Sequence, residues 1–217
     1  MTLKEAISIV KSKLHNEEVR KNDDLIKKAI QQACKIVPTN FYEVFPGVIK
    51  HTSTAVTNVG SKTTANGKTI FIKKLTKPTD FVRPLWGYMY GTESVVYPVV
   101  FVAHDDLPKV LWKLPADAVY GVVTEDELYF YMVNSLTTIE YAYVSSISVP
   151  STWSETMPFD DIFCIPILAY ARYLLEKGDF ASEARQRYEE AIRDILLPVH
   201  VSIGQDIFTG DKKTEPR

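Results

Sequence analysis

The stretch Met157–Leu197, MPFDDIFCIPILAYARYLLEKGDFASEARQRYEEAIRDILL, carries the apolar spacing of two antiparallel helices joined at Gly178-Asp179. A helical hairpin of that length must bury a stripe against something, and this constrains what the rest of the chain can be. The spacing predicts a first helix opening near Thr156 or Met157, with Pro158 in its first turn and Asp160 and Asp161 at the positive end of the dipole. From Ile162 to Leu175 the residues are apolar nearly all round, which predicts burial on several sides. Pro166 predicts either a kink or the start of the regular helix there. Gly178 suits the left-handed residue after a helix end, and Asp179 the cap of the next helix. The second helix places Phe180, Ala181, Ala184, Tyr188, Ala191, Ile192 and Ile195 on one stripe. Its other face pairs Glu183 with Arg187 and Glu189 with Arg193 at i, i+4.

The beginning of the chain is helical too. Thr2 and Glu5 form a capping box ahead of Leu3, Ala6, Ile7, Val10 and Leu14, predicting an amphipathic helix over residues 2–14. After a polar connection, Asn22-Asp23-Asp24 opens a second helix with Ile26, Ala29, Ile30, Ala33 and Val37 on one face, stopped by Pro38. Neither helical pair can bury its own stripe, so all four are expected in one bundle.

Between them the period changes from helical to alternating. Asn66-Gly67 is a hairpin signal, and Thr69–Lys73, Trp86–Tyr90, Ser94–Val102, Ala118–Val123, Leu128–Val133 and Thr138–Ser145 read as strands. Asp105-Asp106-Leu107-Pro108 opens a short helix with Val110, Leu111 and Trp112 as its apolar residues. The expected fold is α+β: a four-helix bundle from residues 1–45 and 157–197, an inserted antiparallel β-rich module over 46–156, and a C-terminal docking tail over 198–217. In that tail Val199, Val201 and Ile203 alternate ahead of Ile207-Phe208, which predicts an extended strand after Pro198.

Composition narrows the function classes. Of 217 residues, 46% are apolar and no stretch approaches the roughly 20 apolar residues of a membrane span. MTLKEAISIVKSK is too polar for a secretory signal, so the chain is expected to remain in a cytosol. A net charge of -2 argues against a large basic nucleic-acid footprint. Cys34 and Cys164 fall on apolar helical faces and read as buried free thiols. GSKTTANGKT ends like a phosphate-binding loop, but Lys62 stands where the first glycine belongs and a strand follows instead of a helix. His15, His51, His104 and His200 are scattered, and His104-Asp105-Asp106 reads as a cap rather than a cation site. No catalytic, cofactor-binding or metal-binding residues are assigned, and the chain is not expected to be an enzyme. A ligand-binding module or small enzyme, with a pocket formed by Trp86, Tyr88, Trp112 and Tyr120, is the alternative.

The order helix, helix, β insertion, helix, helix resembles the head-to-tail adaptor (connector) proteins of tailed bacteriophages, including the tail tubular protein A group of short-tailed phages. The wording over residues 85–197 carries the likeness. It includes Asp105-Asp106-Leu107-Pro108, Ala118–Val123, Leu128–Tyr131 and Ile139–Tyr143, then Met157-Pro158-Phe159, Leu168–Ala171, Leu174-Leu175, Gly178-Asp179 and Ala184–Tyr188. The resemblance implies a structural virion protein without a cofactor, made in the host cytoplasm and placed at the portal vertex between head and tail. It implies self-association into a ring, usually dodecameric, that binds a portal protein above and tail nozzle or fibre-bearing proteins below. Double-stranded DNA would pass through without sequence-specific contact, which a slightly acidic protein suits. Val199, Val201, Ile203, Ile207 and Phe208 are then the candidates for portal docking. Arg185, Arg187, Glu189 and Arg193 are the candidates for the subunit interface, because a closed ring needs two different lateral surfaces that match. A neck or tail-completion protein of another type is a further alternative.

Overall fold

In the computed structural model, residues 1–64, 67–91 and 95–209 are described, with side chains described through 196 at the C-terminal end. The helices in chain order are α1 (Leu3–Lys13), α2 (Glu17–Arg20), α3 (Asp23–Asn40), α4 (Leu107–Val110), α5 (Asp161–Leu175) and α6 (Asp179–Thr209). The strands are β1 (Ile49–Ala55), β2 (Thr57–Thr63), β3 (Thr69–Thr76), β4 (Phe81–Tyr90), β5 (Val96–Val102), β6 (Val119–Val123), β7 (Glu127–Met132) and β8 (Thr138–Ser145). They fall into two units, Met1–Val48 with Ile147–Arg217, and Ile49–Ser146.

The helical unit is built on α5. α1 turns Leu3, Ala6, Ile7 and Val10 inward, α3 turns Ile26, Ala29, Ile30, Ala33, Cys34 and Val37 inward, and both pack against α5, as does α6. Helices from the two ends of the chain therefore share one core, with the sheet inserted between them. The capping box at α1 is complete: the Thr2 N–H donates to Glu5 Oε2 at 2.7 Å and the Glu5 N–H to Thr2 Oγ1 at 3.3 Å. The segment ahead of α5, assigned from sequence to the β module, lies with the helices. The Leu3 and Lys4 N–H groups donate to the carbonyls of Glu155 and Trp153, and the Met157 N–H to that of Met1.

Three prolines are tolerated inside helices where the spacing predicted a stop or a kink. α3 continues through Pro38 to Asn40, and the Thr39 hydroxyl lies 2.8 Å from the Lys35 carbonyl and 3.0 Å from that of Ile36, holding the last turn. α5 opens at Asp161, later than expected, without a side-chain cap from Asp160, and runs through Pro166. α6 runs through Pro198 to Thr209, so residues 199–208 are helical backbone and not the predicted strand. A proline withholds its own N–H and crowds the carbonyl four residues back, and Pro38 and Pro166, both buried in the helical unit, offset that cost by packing. α2, with Asn16 capping Glu18 and Val19, fills what sequence spacing left as a polar connection.

In the second unit the strand order is β1-β8-β4-β5-β6-β7-β3-β2. β1 and β2 stand at opposite ends of that order, yet Val56 alone separates them in the chain. One long run, 49–63, thus pairs with β8 along its first half and β3 along its second, and the sheet closes on itself. β5 makes a similar transfer, with Val96–Pro98 against β4 and Val99–Val102 against β6. The β5–β6 pairing is parallel, so the sheet is mixed where a purely antiparallel one was expected. The reason is the connection over 103–118, which carries α4 and is long enough for a parallel return. Asp105 and Asp106 do not cap it with their side chains, and Trp112, expected to pack, is 61% exposed. The hairpin turn before β3 is held by Thr64, whose N–H donates to the Lys68 carbonyl; Asn66 lies outside the described residues.

Met89, Val99, Leu128, Phe130, Met132, Ile139 and Tyr141 fill the interior of the closed sheet. Gly121 has to be glycine at that spot, because a Cβ there would stand 2.8 Å from Phe101 Cδ1 and 2.9 Å from Val99 Cγ1. Gly121→Ala is expected to lower stability by about 1–3 kcal/mol through overpacking, read as a shift of the urea midpoint at unchanged slope. A midpoint equal to wild type would show that Phe101 has room to move.

Candidate functional site

The helical unit holds a buried pair of opposite charges, Arg172 and Glu176, that sequence spacing missed. α5 brings Arg172 and Glu176 one turn apart, with side chains 10% and 1% exposed. The Arg172 guanidinium lies 3.3 Å from Glu183 Oε1 on α6, 3.8 Å from Glu176 Oε1 and 3.4 Å from His15 Nδ1. Glu176 also accepts the His15 backbone N–H at 2.9 Å, while the His15 ring stacks on Phe180 with centroids 4.0 Å apart. This cluster ties the end of α1 to both C-terminal helices. Glu183 therefore turns inward to Arg172 and not along α6 to Arg187, as i, i+4 spacing had predicted. The signal was present in the sequence as an Arg–Glu pair one turn apart in an otherwise apolar helix.

Beside this cluster a groove of about 470 Å³ runs over α5 between α1 and α6. Its apolar wall includes Ile9, Ile165, Leu168 and Ala191, and Lys13, Arg172 and Arg187 bring positive charge to it. Ile162 and Ile165 are 60% and 58% exposed, so α5, expected to be buried on several sides, keeps one face open. Of the interface candidates, Arg185 pairs with Glu189 at 2.8 Å, Arg187 with Glu190 at 3.1 Å, and Arg193 is exposed. All four lie on α6. The portal-docking candidates Val199, Val201, Ile203, Ile207 and Phe208 lie on the C-terminal part of the same helix, and their side chains are outside the described residues.

In the sheet unit the four aromatic residues expected to form a pocket are only partly gathered. Trp86 and Tyr88 lie against each other on β4 with centroids 5.5 Å apart, and His51 on β1 is 5.5 Å from Trp86. Trp112 instead has the Lys113 ammonium 4.5 Å over its ring, and Tyr120 is half-buried on β6. Trp86 and Tyr88 are 37% and 44% exposed, an open aromatic strip.

Among the described residues no group of three or more His, Cys, Asp or Glu is placed to hold a metal ion, and no helix is long and apolar enough to cross a membrane. Cys34 and Cys164 are free and buried. Burial pushes the Cys34 thiol up to about 12 and the Cys164 thiol up to about 11, each from 9.0. A thiol whose folded pKa is raised stays protonated while the unfolded chain ionises. The stability it contributes is complete below about pH 9 and is lost as pH climbs toward 11 to 12. Both thiols are expected to resist a thiol-reactive dye at pH 8 in native protein and to react at once in denaturant. Rapid native labelling of both would contradict their burial. Compared with known proteins, the chain matches no protein-family model and no curated protein.

Proposed function

We propose that the chain is a structural virion subunit that closes into a ring between portal and tail, in the manner of phage head-to-tail adaptors. The observation that carries this reading is the architecture: a bundle assembled from both chain ends around α5, a closed sheet inserted between them, and a C-terminal helix of 31 residues beside a partner of 15. The open face of α5 and the charged face of α6 with Arg185, Arg187, Glu189 and Arg193 are two different surfaces of one unit. That is what a head-to-tail contact requires. Residues 199–208 remain the segment assigned to docking at the ring's end.

Mass photometry across the micromolar range, with negative-stain imaging, tests it. The expected result is discrete particles that are multiples of one subunit with an open centre. Rings that bind tail components but no portal would point to a neck or tail-completion protein instead. The exposed Trp86–Tyr88 strip favours a second reading, a ligand-binding module that stacks planar rings. A chain that stays monomeric, with tryptophan fluorescence that responds to a single-stranded oligonucleotide, would support that module against the ring.

A further inference from the structure

We infer that the outer face of β1, β8 and β4 binds an arginine side chain of a partner protein, with Glu140 taking the guanidinium and Trp86 and Tyr88 covering it. The inference goes beyond the ring reading and holds for a monomer as well as for a ring.

Register and pleat assemble the face. His51, Ala142 and Trp86 lie side by side across the three strands, and the next row is Ser53, Glu140 and Tyr88. Directly opposed side chains start about 5 Å apart, so Glu140 stands between Ser53 and Tyr88. On one side of that row the His51 and Trp86 rings meet across the small Ala142, with centroids 5.5 Å apart. On the other side the Tyr90 hydroxyl lies 3.2 Å from that of Ser53. The carboxylate is thus set among aromatic side chains.

Backbone structure gives no reason for a charge at this position. β8 is an interior strand of the sheet, where glutamate is uncommon, and Glu140 is the one exposed residue of its eight. The Glu140 carboxylate makes no ion pair or hydrogen bond among the described residues. Arg83 is the next basic position on this face by register, opposite Val144 and about 14 Å along β8 from Glu140. The rings lack a cation as well. An aromatic face attracts positive charge, and the other two tryptophans each have a lysine of their own, Lys113 at 4.5 Å from the Trp112 ring and Lys27 at 5.9 Å from that of Trp153. Trp86 has none among the described residues.

The missing charge selects the occupant. A phosphate backbone would meet Glu140 as a like charge, whereas a cation satisfies the carboxylate and the rings together. Of the cationic side chains, arginine fits both: its planar guanidinium lies against a ring while two N–H groups donate to one carboxylate, and a lysine ammonium has no plane to stack. The face is open, with Trp86 and Tyr88 exposed, and has no walls to enclose a free small molecule. The guanidinium therefore arrives on a polypeptide that adds contacts around it.

The probe is N-acetyl-arginine amide, titrated at fixed ionic strength into the isotope-labelled full chain and followed at the indole N–H signals, with that of Trp86 assigned by its loss in Trp86→Phe. The Trp86 signal is expected to shift with a Kd of roughly 10 mM, the sum of exposed ring and ion-pair contacts, while the Trp112 and Trp153 signals stay in place. Glu140→Gln, with an unchanged far-UV spectrum, should weaken the response roughly threefold or more, and so should replacing the probe by its uncharged citrulline analogue. Equal shifts at every indole, an equal response to citrulline, or a response that survives Glu140→Gln would overturn the site. N-acetyl-lysine amide binding as tightly as the arginine probe would overturn the choice of guanidinium. A Trp86 signal that moves with oligothymidylate and not with arginine would overturn the inference in favour of the base-stacking module. None of these outcomes depends on whether the chain forms rings, so the two readings fail separately.

Discussion

Phe130→Ala should lower the stability of the sheet unit by about 4 kcal/mol, within the range for removing a fully buried phenylalanine. Phe130 is 0% exposed on β7 and sits in one cluster with Met89, Val99, Met132, Ile139 and Tyr141. The size of the loss depends on whether the surroundings can close over the space. Here the walls are strands hydrogen-bonded into a sheet that closes on itself, and no wall can move inward without breaking its ladder. Urea titration followed by tryptophan fluorescence, in a Trp153→Phe background that silences the helical unit, reads this unit from Trp86 and Trp112. A loss below about 1 kcal/mol would mean that the interior collapses freely and is not rigid as described.

Glu176→Gln is the second large expected effect, a loss of about 3 kcal/mol in the helical unit. The substitution keeps the volume and an acceptor for the His15 N–H but removes the charge that faces Arg172. Glu183, half exposed, is then the only carboxylate among the described residues within 4 Å of a guanidinium that is nine-tenths buried. The Arg172 Nε already lacks a hydrogen-bond partner among the described atoms, so the site has no spare acceptor. Replacing the partner as well, Arg172→Met with Glu176→Gln, should recover most of the loss, because the guanidinium that needs a carboxylate is gone while the acceptor for the His15 N–H stays. If the double variant is as unstable as Glu176→Gln, the cluster matters for its packing and not its charge. Helical signal at 222 nm reports the transition.

Much of the architecture was legible in the sequence. The 3.6 period of α1 and α3 and the alternation of β7 match elements with one buried face, β8 is instead buried almost throughout, and the four helices do pack together as their unmatched stripes required. The misses share a cause. Proline at 38 and 166 was read by its local cost, about 3 kcal/mol, which burial in the helical unit overrides. Residues 199–203 alternate over too few positions to separate strand from helix, and the structure resolves the ambiguity in favour of helix. The closure of the sheet through Val56 was not readable, since β1 and β2 are polar and largely exposed and carry little periodic signal. At the site, the charges of α6 were visible, but the inward turn of Glu183 depends on where α5 places Arg172, which is a property of the packing.

The closing of the sheet sets a timetable for synthesis. β1 is made near the start of the insertion and finds its hydrogen-bonding partner in β8, close to the insertion's end, so the ladder between them waits for nearly a hundred residues to leave the ribosome. α1 and α3 emerge earlier still, and the helix they pack on is translated after the whole sheet. Until α5 arrives α1 and α3 have only each other to pack on, and the apolar surface that α5 will cover stays open on the nascent chain.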